Sequence, residues 1–209
     1  MLIVLTGIDG SGKTTAAEAT VEAARQAGDS ALILRNYAGR RRMSLLSARF
    51  GMQVPPRLSD FFETAVRTFN VLNSHRRARK FHGLVVMDRH LHCQLALRRM
   101  YGLPGGRFLP WLIRTLPQPD LVIYLDIDPS EAHARILARG TDSERLADLV
   151  SLRAAYRSLP DFSGFTNIAA GGSPAEVLAR VQAAISNTAA QQQECCPAGP
   201  APSGTGPAT

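Results

Sequence analysis

The sequence predicts an α/β domain built on a parallel sheet. Short aliphatic runs alternate with longer helical patterns, the first four runs are apolar nearly throughout, and the first leads straight into a glycine-rich loop and a helix. Leu2 to Thr6 is the first strand and stops at Gly7. Thr14 to Ala27 follows as an alanine-rich helix closed by Gly28. Ala31 to Leu34 is the second strand. Ser59 to Phe81 is a long helix that becomes basic, and Phe61, Phe62, Ala65, Phe69 and Leu72 recur along it at helical spacing, which predicts a stripe facing the core. Leu84 to Met87 is the third strand, Leu121 to Leu125 the fourth and Phe165 to Ile168 the fifth. Between the last two, Ser130 to Ala138 begins after Pro129 and ends at Gly140, as a helix should. Beyond Ile185 the composition turns to Ser, Gln, Ala, Pro, Gly and Thr, so residues 1–186 are expected to fold as one domain and 187–209 to form a disordered tail.

Composition narrows the class further. The 209 residues carry a net charge of +7, and Lys13 and Lys80 are the only lysines, so arginine carries the excess. Such a surplus suits either an anionic polymer or a set of side chains that hold phosphates. No apolar run approaches the roughly 20 residues of a membrane helix. The start at Met1 to Leu5 has no basic flank and meets Gly7 too early for a signal peptide. Three cysteines, Cys93 alone and Cys195 beside Cys196, form neither a disulfide framework nor a metal set, which fits a reducing cytoplasm.

Gly7-Ile8-Asp9-Gly10-Ser11-Gly12-Lys13-Thr14 matches G-x-x-x-x-G-K-[ST] between a strand and a helix. The glycines let backbone N–H groups converge on phosphate oxygens, and the helix from Thr14 adds the partial positive charge of its N-terminus. Lys13 is expected at the β- and γ-phosphates of a nucleotide and the Thr14 hydroxyl on Mg²⁺. ATPases, GTPases, motor domains and kinases share this loop. Asp88-Arg89-His90 ends the third strand, where ligands of an open α/β sheet bind. There Asp88 can hold the metal and Arg89 a second phosphate; capping of the next helix is the plainer role for Asp88. The polar stretch Gly140 to Arg145, after a helix carrying Arg135 and Arg139, reads as a loop that brings arginine to a transferring phosphoryl group.

Taken in order, Gly7 to Thr15, Asp88-Arg89-His90, and Pro119-Asp120 through Leu125-Asp126-Ile127-Asp128-Pro129 with Arg135 and Arg139-Gly140 resemble the thymidylate kinase family of nucleoside monophosphate kinases. The resemblance covers roughly residues 1 to 186. It implies the P-loop NTPase fold, with a five-stranded parallel sheet, helices on both faces and a short lid after Gly140. It also implies ATP and Mg²⁺ as co-substrates, a small-molecule phosphate acceptor with dTMP the default, and usually a homodimer. In its terms, Gly7, Asp9, Gly10, Ser11, Gly12, Lys13, Thr14 and Thr15 bind the nucleotide, and Thr14 and Asp88 hold the metal. Lys13, Asp88 and Arg89 serve catalysis, joined by lid-side arginines drawn from Arg135, Arg139 and Arg145, because Gly10 stands where some members carry a catalytic Arg. Asp9, Arg67, Arg89, Cys93 and Arg98 face the acceptor.

Departures from the family pattern gather at that acceptor. Arg35-Asn36-Tyr37-Ala38-Gly39-Arg40 lacks the proline of the family's phosphate-site turn. Glu63 stands where a phenylalanine stacks on the base, Cys93 where a serine is common, Leu97-Arg98 replace a Tyr-Gln pair, and the lid reads Asp142-Ser143-Glu144-Arg145. These changes motivate an alternative acceptor: another nucleotide, a nucleoside or a specialised metabolite. The basic clusters Arg40-Arg41-Arg42 and Arg76-Arg77-Ala78-Arg79-Lys80 have few interleaved aromatics, so they are expected to be solvated faces rather than a nucleic-acid surface.

Overall fold

A computed structural model describes residues 1–37, 56–140 and 144–195. Among these lie five strands and seven α-helices: β1 (Leu2–Thr6), α1 (Lys13–Gln26), β2 (Ala31–Arg35), α2 (Pro56–Ala78), β3 (Leu84–Asp88), α3 (Leu91–Met100), α4 (Phe108–Thr115), β4 (Leu121–Asp126), α5 (Pro129–Arg139), α6 (Leu146–Arg157), β5 (Thr166–Ala169) and α7 (Pro174–Cys195). A 3₁₀ turn, Pro160–Gly164, leads into β5. The Arg40 to Arg42 cluster and the lid residues Thr141 to Ser143 lie outside the described residues.

All strand pairings are parallel, in the order β2-β3-β1-β4-β5. The aliphatic strands are covered on both faces, so Ile3, Val4, Leu5, Val86, Met87 and Ile123 are wholly buried. β1 sits between β3 and β4; from β1 the chain runs outward past β3 to β2, whereas from β3 it runs the other way, past β1 to β4. That reversal opens a crevice at the carboxyl ends of β1, β3 and β4, where the glycine loop, Asp88-Arg89 and Asp126 all lie. α5 follows the sequence signals closely: Asp128 caps it by accepting from the Ser130 N–H at 2.9 Å, Pro129 occupies the first turn and Gly140 ends it in the left-handed region.

Two expectations change. The stripe on α2 faces outward: Phe61 is 64% exposed and Phe69 69%, with Phe62 and Leu72 also exposed and Ala65 beside them. The buried face carries Glu63, Arg67, Val71, Ser74 and His75 instead. α2 packs against α3 and β2 at the ligand end of the sheet, where polar side chains are needed, and this turns its apolar side to the outside. At the C-terminus, α7 continues past Asn187 to Cys195, so the first part of the expected disordered tail is helical. Gln192 there donates to Asp120 Oδ1 at 2.8 Å, while Asp120 Oδ2 accepts from the Leu2 N–H at 2.6 Å, which ties the helix to the start of β1.

Candidate active site

The phosphate loop is shaped by close backbone approach. Gly10 has φ of 82°, and a Cβ there would lie 2.5 Å from the Ala132 carbonyl oxygen of α5. Only glycine meets both conditions without strain. Lys13 is buried, and its Nζ donates to the Ile8 carbonyl at 2.6 Å and lies 3.6 Å from Asp9 Oδ1. Burial, aided by the nearby Arg89 charge, draws the Lys13 pKa below its ordinary value, although Asp9 and Asp88 oppose the shift. Ser11 is buried beside it, while Thr15 is exposed at the start of α1.

Thr14 and Asp88 meet across the crevice, with the Thr14 hydroxyl donating to Asp88 Oδ2 at 2.7 Å. The other oxygen, Asp88 Oδ1, is buried without a hydrogen-bond partner. A hydroxyl and a carboxylate with one oxygen spare form a hard-oxygen donor pair suited to Mg²⁺, which takes few protein ligands and completes its shell with phosphate oxygens and water. The residues present therefore fit that ion.

Arg89 is the non-glycine residue with positive φ, 76°, among those described. Such a conformation costs about 1–2 kcal/mol for a side chain of this kind. Its Nη2 donates to Asp9 Oδ1 at 2.5 Å, and Asp9 in turn holds the guanidinium firmly charged. Burial opposes ionisation of Asp9, but Arg89 and Lys13 together hold it far below the usual carboxylate range. The three groups thus form a charged trio, Lys13–Asp9–Arg89, at the mouth of the loop.

Behind them, Arg67 is 3% exposed and its Nε donates to Gln94 Oε1 at 3.1 Å, while its Nη1 has no partner. Gln94 Nε2 donates to Asp60 Oδ1 at 3.0 Å, and Arg98 pairs with the same carboxylate at 2.9 Å. Arg98, expected at the acceptor, is therefore turned inward but committed to Asp60. Glu63 is buried nearby on the same face of α2. Cys93 is buried, with its Sγ 3.4 Å from Thr6 Oγ1; burial would raise its pKa, but Arg67 and Arg89 bring it below the ordinary thiol value.

On the opposite side of the loop, a cavity of about 350 Å³ opens between Gly12 and Thr15 on one wall, Arg135 and Arg139 on another, and Pro174 and Val177 of α7. Arg139 is exposed along its rim. Arg135 is engaged with Glu131 and with the carbonyls of Ala170 and Gly172, so it shapes the wall of the cavity. Arg145 is 81% exposed at its side chain and pairs with Asp148. Asp126 accepts a two-pronged contact from Arg153 and a third bond from Arg157, closing the end of β4.

Sequence reasoning missed Asn36, Asp60, Ser74 and Gln94, all of which hold other site residues in place. A signal was present, since Asp60, Glu63, Arg67 and Ser74 recur at three-, four- and seven-residue steps and mark a polar face of α2.

A model of the family described as thymidylate kinase matches residues 5–181. A probable thymidylate kinase of Sulfurisphaera tokodaii is 31% identical over 73% of this chain and 78% of its own. One from Thermococcus onnurineus is 30% identical over 71% and 78%, and a thymidylate kinase of Exiguobacterium is 30% identical over 67% and 69%. With the family model matching most of the chain and relatives about 30% identical over two thirds or more of it, the chain belongs to the thymidylate kinase family of ATP-dependent nucleoside monophosphate kinases.

Proposed function

We propose that the chain transfers the γ-phosphoryl group of ATP to the phosphate of dTMP, with Mg²⁺ held by Thr14 and Asp88. The observation that carries this reading is the buried, unpartnered Asp88 Oδ1 beside the Thr14 hydroxyl, within reach of the Lys13–Asp9–Arg89 trio. An oxygen of the acceptor phosphate attacks the γ-phosphorus as its bond to the β–γ bridging oxygen breaks, giving ADP and a nucleoside diphosphate. The attacking oxygen is already anionic, so the site needs positioning and charge neutralisation rather than a strong base. Lys13 leaves the Ile8 carbonyl to follow charge from the γ-phosphate to the leaving oxygen, and the loop N–H groups hold the β-phosphate. Arg89, oriented by Asp9, takes the acceptor phosphate. Bound Mg²⁺ supplies Lewis-acid neutralisation of the β- and γ-oxygens. The cavity beside α7 suits the nucleoside of ATP, with Arg139 at its rim.

A second acceptor remains in view for one reason: the wall behind Arg89 is a charged chain, Arg98–Asp60–Gln94–Arg67, with buried Glu63 where an aromatic ring would stack on a base. A site built around such groups discriminates strongly through them. ADP release measured with ATP and a panel of nucleotides and nucleosides decides the matter. A clear preference for dTMP supports the first reading, and no turnover of dTMP beside brisk turnover of another acceptor overturns it.

The outward stripe of α2, with Phe61, Phe62, Val66 and Phe69 exposed, supports pairing of two copies through this helix. Sedimentation of the wild-type chain and of Phe69→Glu tests it, with a dimer expected for the first and a monomer for the second. Among the described residues no helix is long and apolar enough to cross a membrane. We place the enzyme in the cytoplasm, where its nucleotide substrates and reduced thiols belong.

A further inference from the structure

The backbone at Arg89 is strained, and its guanidinium meets Asp9 from this left-handed turn, so the turn needs restraint. Two restraints come from the machinery itself: the Arg89 N–H donates to the Leu5 carbonyl at 3.0 Å, and the side chain is tied to Asp9. The remaining backbone group, the Arg89 carbonyl, accepts from Asn36 Nδ2 at 2.7 Å. Asn36 follows β2 and is completely buried. Its own N–H donates to the Asp88 carbonyl at 3.0 Å, so one residue grips two successive carbonyls. Its Oδ1 accepts from the Ser74 hydroxyl of α2 at 2.8 Å, and Ser74 is itself buried.

We infer that Asn36 and Ser74 are positioning residues for phosphoryl transfer. Ser74 fixes which way the Asn36 amide points, presenting its NH₂ to Arg89. Asn36 then holds the Arg89 peptide in the left-handed turn that aims the guanidinium at the acceptor phosphate. Neither side chain lines the nucleotide cavity, and the Asn36 side chain bonds Arg89 rather than Asp88, so the effect falls mainly on the acceptor side. α2 also carries Arg67, so Ser74 fastens the acceptor wall to the residue that grips the acceptor phosphate. The kinetic part rests on the proposed reaction; the conformational part does not.

The test uses Asn36→Ala, Asn36→Asp and Ser74→Ala, with Ser74→Thr as the conservative control. Asn36→Asp preserves shape and still accepts from Ser74, but it cannot donate to the Arg89 carbonyl, so it serves if the alanine variant does not fold. Misplacing one reacting group by a small distance costs up to about 100-fold. The expected result is a rise in acceptor KM with a lower kcat, together about tenfold to 100-fold in kcat/KM for Asn36 variants. A smaller effect is expected for Ser74→Ala, near-normal values for Ser74→Thr, and an unchanged KM for ATP throughout. A lower Tm with unchanged acceptor KM would reduce both residues to structural roles and overturn the inference. Crystal structures of Asn36→Asp and Ser74→Ala give a second readout that does not depend on the acceptor. If Arg89 keeps its positive φ and its Asp9 contact in both, the clamp is refuted even where dTMP proves to be the wrong substrate.

Discussion

Lowering the pH from 7 to 5 should destabilise the fold through a buried row of imidazoles. His75 Nε2 lies 3.1 Å from His90 Nε2, and His90 Nδ1 lies 3.3 Å from His92 Nδ1. His92 packs edge-on against Phe165, and Asp161 and Arg67 are the charged groups that act on the row from the 3₁₀ turn and α2. Burial lowers the pKa of all three rings, that of His92 from 6.5 to about 4. The unfolded chain takes up a proton on His92 as pH falls through 6.5, whereas the folded chain resists until about 4. Stability is therefore full above pH 6.5, declines through the window between the two values, and levels off below it. For His92 alone the loss between pH 7 and 5 is about 2 kcal/mol, a large fraction of a typical domain's stability. With an m-value of about 2 kcal/mol/M, the urea midpoint falls by roughly 1 M. In His92→Phe the ring contact with Phe165 is kept, and the pH-dependent fall should be smaller by about this amount. The constant cost of leaving His90 Nδ1 unpaired shifts both midpoints alike and cancels from the comparison. Equal falls in wild type and variant between pH 7 and 5 would refute the reasoning.

Three further outcomes are expected. Lys13→Ala should lower kcat by on the order of 10²–10³-fold in a coupled ADP assay, if, as proposed, Lys13 follows the transferring charge. Gly10→Ala forces a Cβ onto the Ala132 carbonyl at a positive φ. It should therefore abolish thermal protection by ATP and cost about 1–3 kcal/mol in denaturant unfolding. Thr14→Ala removes one of the two metal-ready oxygens. It should raise the Mg²⁺ concentration that gives half-maximal rate, while chelation by EDTA stops turnover in wild type and variant alike.

The sheet and the phosphate loop were legible because their signals are local. A buried parallel strand is apolar on both faces, and Gly7 to Thr14 sits in one contiguous stretch between strand and helix. The polar chain behind Arg89 was only partly legible. Arg67 is buried beside Gln94, a partner on another helix that spacing along one helix does not reveal, and the engagement of Arg98 by Asp60 is hidden in the same way. Periodicity detects that α2 is two-sided without saying which side faces inward, and the usual assignment of aromatics to the core inverted it. The run of α7 beyond Ile185 escaped notice because Gln192 is held by a single side-chain bond to Asp120 rather than by an apolar face.

The inversion of α2 leaves this helix without a neutral face. Arg67 and Ser74 register with the crevice on one side, and Phe62, Val66 and Phe69 present a greasy rail on the other. A helix is a stiff rod, so turning it to tighten one face displaces the other by a similar arc. A small residue swap that rotates the helix therefore moves the Arg67 and Ser74 contacts and the apolar rail together.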